Sequence, residues 1–300
     1  MRSLLRCVVV IAGLAGLSAP VMSAPDFDAG RPGWTSVELG ASKFLMTGRA
    51  RVTLEELPAS QLAGELRSPP AGVPVAPGER ILRMRNVASL AGQRTDMTLL
   101  LDPATAATLQ IQLRDSGRRY RQRILRFTDI GAWHWTVKPA AYGEKALEPQ
   151  AWTNRSEGMR PYGKLTGTGA VTDATALVYG AAAAPLAKPG DRFGLQVYSR
   201  RRMHNVVAEH AGFIEVNADY MEKRAGQPVR RKGRIKALNL QISGAQSPDG
   251  DDDDERVTLL GLSGALSLAL DPVTRAPLQL TGDAPIVGRV TFRLKAVTLR

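Results

Sequence analysis

The feature that most constrains the fold is a segment that occurs twice, at residues 99–111 and 268–280. Both copies read L-x-L-D-P-x-T-x-A-x-L-Q, followed by Ile or Leu. In a turn, a leading Asp accepts a hydrogen bond from the backbone N–H two residues on, and Pro at the second position holds φ where a type I turn needs it. The flanking Leu and Ile predict strands. Since the match extends beyond the turn, we interpret the segment as a strand–turn–strand unit of two similar β units; two unrelated hairpins with common turn chemistry are the alternative.

Alternation of apolar and polar residues with period two is typical of half-buried antiparallel strands. It is clear in Phe44–Glu55 and again over residues 290–297. One alanine-rich run, Ala174–Ala184, favours a short helix that Thr172 or Asp173 begins and Pro185 ends. We therefore predict an all-β protein of mostly antiparallel curved sheets, as an open barrel or two similar β units, with one or two short helices.

The chain divides by composition into four parts. A signal peptide is expected at 1–23, and a first β unit at 24–138. A long connecting loop rich in Gly, Pro and polar residues is expected at 139–171, because so long a stretch without clear periodicity is typical of a boundary. The short helix and a second β unit follow at 172–300.

The N-terminus has the features of a secretory signal. Arg2 and Arg6 precede an uncharged apolar run, and residues 21–23 suit cleavage, so the mature chain is expected to begin at Ala24. An uncleaved N-terminal anchor is the alternative. No later stretch is apolar for long enough to cross a bilayer, so we expect a periplasmic protein without a transmembrane span after cleavage.

Cysteine usage and net charge limit the classes of function that the chain can have. Cys7 is the only cysteine and lies in the signal, so the mature chain has no disulfide, no cysteine ligand and no cysteine nucleophile. Removing Arg2 and Arg6 from 40 basic residues, against 28 acidic ones, leaves a net charge of +10. An exported protein of this charge meets anionic lipid, lipopolysaccharide and acidic polysaccharide rather than nucleic acid. The alternative is that the charge serves solubility alone.

The candidate ligand-binding residues lie close together in sequence. Arg119, Arg121 and Arg123 alternate along a predicted strand, and guanidiniums in a row can fork onto phosphates or carboxylates. A solvated outer sheet face is the alternative. Trp133 and Trp135 share one side of the next strand and could stack on a sugar or cover an apolar cleft; the alternative, which we prefer, is that they are large core residues.

The sequence carries no catalytic motif, so we predict a protein that is not an enzyme and needs no cofactor. His134, His204 and His210 have no metal-ligand spacing, and the glycine-flanked Ser263 lacks the final glycine of a nucleophile elbow. The acidic run Asp249–Glu255 is expected to be a solvated loop, since its like charges repel. A calcium site there is the alternative, although the spacing is not that of an EF-hand.

The C-terminal half resembles a known family in the order of its turn and strand signals. These signals are Ala176-Leu177-Val178-Tyr179, Pro185-Leu186, Gly190-Asp191, Asp271 to Thr274, Ala276-Pro277-Leu278 and Gly288 to Leu294. The order resembles a family of uncharacterised exported β-rich proteins of Gram-negative bacteria, known as a domain of unknown function, over residues 170–300 and the strand at 44–54. The resemblance implies an envelope β domain and brings no catalytic residues. The acidic run Asp249–Glu255 and an alanine-rich rather than arginine-containing helix depart from the family pattern.

These observations lead to one main functional hypothesis and two alternatives. The main one is a non-catalytic cell-envelope protein that cradles an amphiphilic or anionic component, lipid or glycan, by analogy with envelope lipid carriers. The alternatives are a scaffold module in envelope assembly without a small ligand, and a hydrolase acting on an envelope polymer.

Overall fold

The computed structural model describes residues 26–43, 46–90, 92–162, 170–199, 202–245, 257–284 and 287–300. The predicted signal at 1–23 and the acidic run Asp249–Glu255 lie outside the described residues. Two short α-helices are described, α1 (Ala59–Leu62) and α2 (Ala176–Ala183). The strands are β1 Trp34–Lys43, β2 Met46–Pro58, β3 Arg80–Leu90, β4 Gln93–Leu101, β5 Thr108–Ser116, β6 Arg121–Phe127, β7 Gly131–Lys138, β8 Asn154–Pro161, β9 Val171–Thr172, β10 Arg192–Ser199, β11 Arg202–Arg224, β12 Gln227–Ala245, β13 Ser263–Leu270, β14 Pro277–Ala284 and β15 Gly288–Leu299.

The fifteen strands of the described residues belong to one sheet, in the order β8-β7-β6-β5-β4-β3-β2-β1-β15-β14-β13-β12-β11-β10-β9. Strands that follow one another in the chain pair antiparallel, with two exceptions: β9 pairs with β10 in parallel, and β8 and β9 lie at opposite ends of the strand order. The last strand joins the two ends of the chain, because β15 pairs with β1. The far end of the long β11–β12 hairpin returns to β15 and pairs with it in parallel, so β11 to β15 form a ring of strands. The structure confirms the predicted all-β, mostly antiparallel class.

One face of this sheet carries the buried core and is called the inner face here. Directly opposed residues of paired strands share a face, so Val37, Val52 and Val297 lie together on the inner face, and all three are buried. The opposite face is the outer face. At one end it is covered by α1 and the following loop, where Leu62, Ile81, Leu100 and Leu109 form a second, smaller buried cluster.

Helix α2 packs into the core, and all eight of its residues are buried. Small alanine side chains allow this close packing, and at Gly180 an added Cβ would lie 3.0 Å from the Phe193 ring. The Tyr179 hydroxyl donates to Pro103 O at 2.5 Å, which ties the helix to the first copy of the repeated segment. The expected helix is confirmed, but its first turn differs: Thr175 occupies the N-cap position, and its own backbone N–H donates to Asp173 Oδ1.

The repeated segment forms equivalent corners, as predicted. Each copy joins two antiparallel strands, β4 to β5 and β13 to β14. Asp102 Oδ1 accepts bonds from Ala104 N, Thr105 N and Thr105 Oγ1, and Asp271 Oδ1 accepts the same three from Val273 N, Thr274 N and Thr274 Oγ1. The residue that closes each turn has a positive φ, 57° at Ala106 and 58° at Arg275. The two corners are therefore the same local structure in different parts of the sheet.

The predicted long loop at 139–171 differs from the structure, because it contains β8. This strand pairs along its whole length with β7, from Gly131↔Pro161 to Lys138↔Asn154. It is an edge strand whose residues are exposed or half-buried, so it lacks the apolar alternation that reveals a strand in a sequence.

Candidate functional site

The structure does not bring the five predicted ligand-binding residues together. Strand β6 begins at Arg121, so Arg119 lies in the preceding turn, where its backbone N–H donates to Gln93 Oε1 at 3.0 Å. Arg121 and Arg123 lie opposite Asp115 and Leu113 of β5, on the inner face. Trp133 and Trp135 lie opposite Arg126 and Ile124 of β6, on the outer face.

The two strand arginines are not on a solvated outer face, so that alternative is wrong for them. Arg121 forms an ion pair with the buried Asp115, whose Oδ2 accepts from Arg121 Nε at 3.0 Å. Burial lowers the pKa of Arg123 to about 10, and the neighbouring charges of Arg121 and Arg160 act in the same direction. The inner face at this end of the sheet thus holds several partly buried charges.

The tryptophans lie next to a buried arginine that the sequence reasoning missed. Trp133 is 7% exposed, as a core residue would be, and Trp135 is half-buried. Beside Trp133, the Arg126 guanidinium donates to three backbone carbonyls, Leu109 O at 2.6 Å, Val75 O at 3.0 Å and Arg67 O at 3.2 Å. Arg126 therefore fixes the proline-rich loop that follows α1, which is a structural role.

A depression on the outer face brings together cations from three strands. Its volume is about 650 Å³, within the usual range of ligand sites. We call it the basic groove and define it by Arg49 and Arg51 of β2, Arg94 of β4, and Arg293 and Lys295 of β15. A smaller depression of about 440 Å³ adjoins it and shares Arg51 and Arg94.

Strand register places these cations in a row across the sheet. Arg94 lies opposite Ser89 of β3, Ser89 opposite Arg49, Arg49 opposite Gly40 of β1, and Gly40 opposite Arg293. Such opposed residues point to the same face, so the three guanidiniums share one surface. Three links of the row join consecutive strands, and the fourth, the pairing of β1 with β15, joins strands that are far apart in sequence.

Gly40 makes room for the fifth cation of the groove. The pairing of β1 with β15 has an irregularity between Glu38 and Leu39, and Lys295 is the β15 residue without an opposite partner there. A Cβ added at Gly40 would lie 3.1 Å from Lys295 Cγ and 3.3 Å from its Cε. The lysine stem thus lies across the glycine, and a Cβ at this position would have to displace the stem by a few tenths of an ångström.

Positive charge in and beside the groove is only partly neutralised. Arg51 forms an ion pair with Glu38, which also lines the groove. Arg85, in the adjoining depression, donates to Asp96 at 3.0 and 2.6 Å, and this bond raises the pKa of Arg85. Within the described part of the chain, the remaining four cations form no ion pair and are exposed: Arg49, Arg94, Arg293 and Lys295. The groove therefore presents exposed donors for an anion.

The histidines lie elsewhere. His204 and His210 are buried on β11, and His134 is half-buried on β7. In the described ranges, no group of three or more His, Cys, Asp and Glu side chains could hold a metal ion.

No helix among the described residues is both long and apolar enough to cross a membrane. No protein-family model, curated protein or solved structure matches the chain. The resemblance to an exported β-rich family thus stays a prediction.

Proposed function

We propose that the protein is a non-catalytic component of the cell envelope that binds an anionic envelope component, a glycan or a lipid headgroup, in the basic groove. The observation that carries this proposal is the set of four exposed cations on one ligand-sized depression, with no carboxylate partner among the described residues. Guanidiniums suit carboxylates and phosphates because their planar donors match two acceptor oxygens at once.

The inner face is a less suitable place for the ligand. Helix α2 lies within the core, and Phe127, Tyr162 and Tyr198 form a cluster of ring contacts with centroids 5.6 to 6.4 Å apart. An acyl chain on the inner face would compete with these side chains. The outer groove needs no such displacement, so we assign the anionic part of the ligand to it.

The test compares a groove variant with a variant of equal charge elsewhere. In the groove variant, Arg49, Arg94 and Arg293 are replaced with Gln. In the control, three exposed cations outside the groove are replaced with Gln: Arg118, Lys138 and Lys188. The probes are short oligogalacturonate in solution, and vesicles of phosphatidylglycerol against neutral phosphatidylcholine vesicles, so that the two sources of anion are distinguished.

The groove variant is expected to bind the preferred probe about threefold to about 150-fold more weakly, since each of the three exposed ion pairs contributes about 0.2–1 kcal/mol. Raising the salt concentration from about 0.05 M to about 0.3 M should also weaken binding of the probe by the native protein. Equal losses in the groove and control variants, or no binding of either probe by the native chain, would refute the proposal.

A further inference from the structure

We propose that the ligand of the basic groove is a linear polyanion, an acidic polysaccharide chain, which crosses β15 and continues along the outer face of the β11–β12 hairpin. This inference rests on the proposed function and adds the class and length of the ligand. It also assigns a role to the basic cluster at residues 230–236, which the groove does not include.

The outer face continues without a break from the groove to the hairpin. Ala296 of β15 lies opposite Glu38 of β1 on one side and opposite Met221 of β11 on the other. Met221 in turn lies opposite Arg230 of β12. Opposed residues share a face, so the outer surface of the hairpin adjoins the surface that carries Arg293 and the groove.

Positive charge continues along the same path. Asp219 of β11 lies opposite Lys232 of β12, and both nitrogens of the Arg230 fork donate to its carboxylate at 2.8 Å. The pKa of the Asp219 carboxyl is lowered first by this bond and then by the charges of Lys232 and Lys295. The Asp219 carboxylate thus lies among three cations, Arg230, Lys232 and Lys295, of which Lys295 belongs to the groove. These four side chains leave a net positive charge at the junction where β15 meets the hairpin.

Exposed cations extend the surface beyond this junction. Lys223, Lys232 and Arg234 are exposed, and none forms an ion pair with another residue that the structure describes. The alternation of β11 and β12 places Lys223, Lys232 and Arg234 on the same side as Met221 and Arg230.

The length of the path favours a polymer over a single anionic group. From β4 through β3, β2, β1, β15 and β11 to β12 there are six strand intervals, or ~29 Å at ~4.8 Å each. A single headgroup would fill the groove alone, whereas a chain with an anion on each repeating unit can meet cations along the whole path.

The groove lining favours a polysaccharide over a bilayer surface. Membrane-surface segments combine cations with large exposed apolar side chains that enter the headgroup layer. None of the large exposed hydrophobic residues of the described chain lines the groove. On the hairpin, Met221 and Phe213 are exposed on the side that carries the cations, so this distinction rests on the groove and not on the hairpin. Its uncharged polar lining consists of hydroxyl residues that suit sugar hydroxyls: Ser42, Thr47, Ser89 and Thr291.

The test measures binding of short oligogalacturonate and of long polygalacturonate, with a contour length above ~29 Å, to the mature chain. In the hairpin variant, Lys223, Lys232 and Arg234 are replaced with Gln; the groove variant and the charge-matched control are those above. Circular dichroism and thermal unfolding establish that each variant is folded, as expected for exposed substitutions.

The native chain should bind the long polymer more tightly and with a steeper salt dependence than the short one. The hairpin variant should bind the short oligomer like the native chain and lose roughly tenfold or more for the long polymer, at about two- to fivefold per cation. If the native chain and the hairpin variant bind the long polymer with equal affinity, the extended path is overturned, while the proposed binding in the basic groove still stands. Unchanged binding of the short oligomer by the groove variant would overturn the proposed function itself. Tighter binding to phosphatidylglycerol vesicles than to the long polymer, lost in the hairpin variant, would overturn the polysaccharide in favour of a lipid surface.

Discussion

The two equivalent corners predict that replacing either leading aspartate costs the same stability. Asp271→Ala removes an acceptor that holds Val273 N at 3.0 Å, Thr274 N at 2.7 Å and Thr274 Oγ1 at 3.0 Å. Each such bond contributes about 1 kcal/mol net, and partial exposure lets water replace some of the loss, so we expect a decrease of about 2 kcal/mol. Asp102→Ala removes the same three bonds and should cost the same within about 0.5 kcal/mol.

The conservative substitution separates hydrogen bonding from packing. Asp271→Asn and Asp102→Asn keep a side-chain oxygen in place and lose only the charge, so each should cost about 1 kcal/mol. For a chain of this size, a loss of about 2 kcal/mol lowers the Tm by about 3–4 °C. Thermal unfolding followed by circular dichroism measures the shift, with Glu157→Ala, an exposed carboxylate of β8, as control. The reasoning is refuted if Asn is as costly as Ala, or if one copy costs no more than the control.

Two further predictions concern buried and half-buried charges. Arg126→Met should lower the free energy of unfolding by about 2–4 kcal/mol, because three backbone carbonyls lose their donor. It should also speed proteolytic cleavage between α1 and β3 compared with the control Arg118→Met. Equal cleavage of the two variants would contradict this prediction. Burial raises the pKa of the Asp173 carboxyl, so the folded state binds the carboxyl proton more tightly than the unfolded chain does. The free energy of unfolding therefore falls as the pH rises from the ordinary pKa of Asp, about 4, through the raised pKa of the folded state. Asp173→Asn keeps an acceptor for Thr175 N and should remove that fall; urea unfolding across this pH range checks it, and an unchanged pH profile would contradict it.

Local chemistry explains the parts of the fold that the sequence predicted. The Asp-Pro turns depend on the side chain and φ of adjacent residues, and α2 on a run of alanines before Pro185, so neighbouring residues suffice to find them. Strand β8 has no such signal, because an edge strand buries little on either face. Strand β8 pairs with the edge of β7 that β6 does not occupy. This edge exists only in the folded sheet, so the sequence alone does not reveal it.

Alternation also has a limit that the candidate site illustrates. A period of two shows that Arg121 and Arg123 share a face, but not that this face is the inner one, since either parity fits a strand. The basic groove is a stronger case. Arg49 and Arg293 lie at opposite ends of the chain and meet on one surface only because β1 pairs with both β2 and β15. The sequence by itself determined the strands with apolar alternation, the turns and the positive charge, because these depend on nearby residues. The tertiary structure alone decided the edge strand β8 and which cations meet, because strand pairing and register set both.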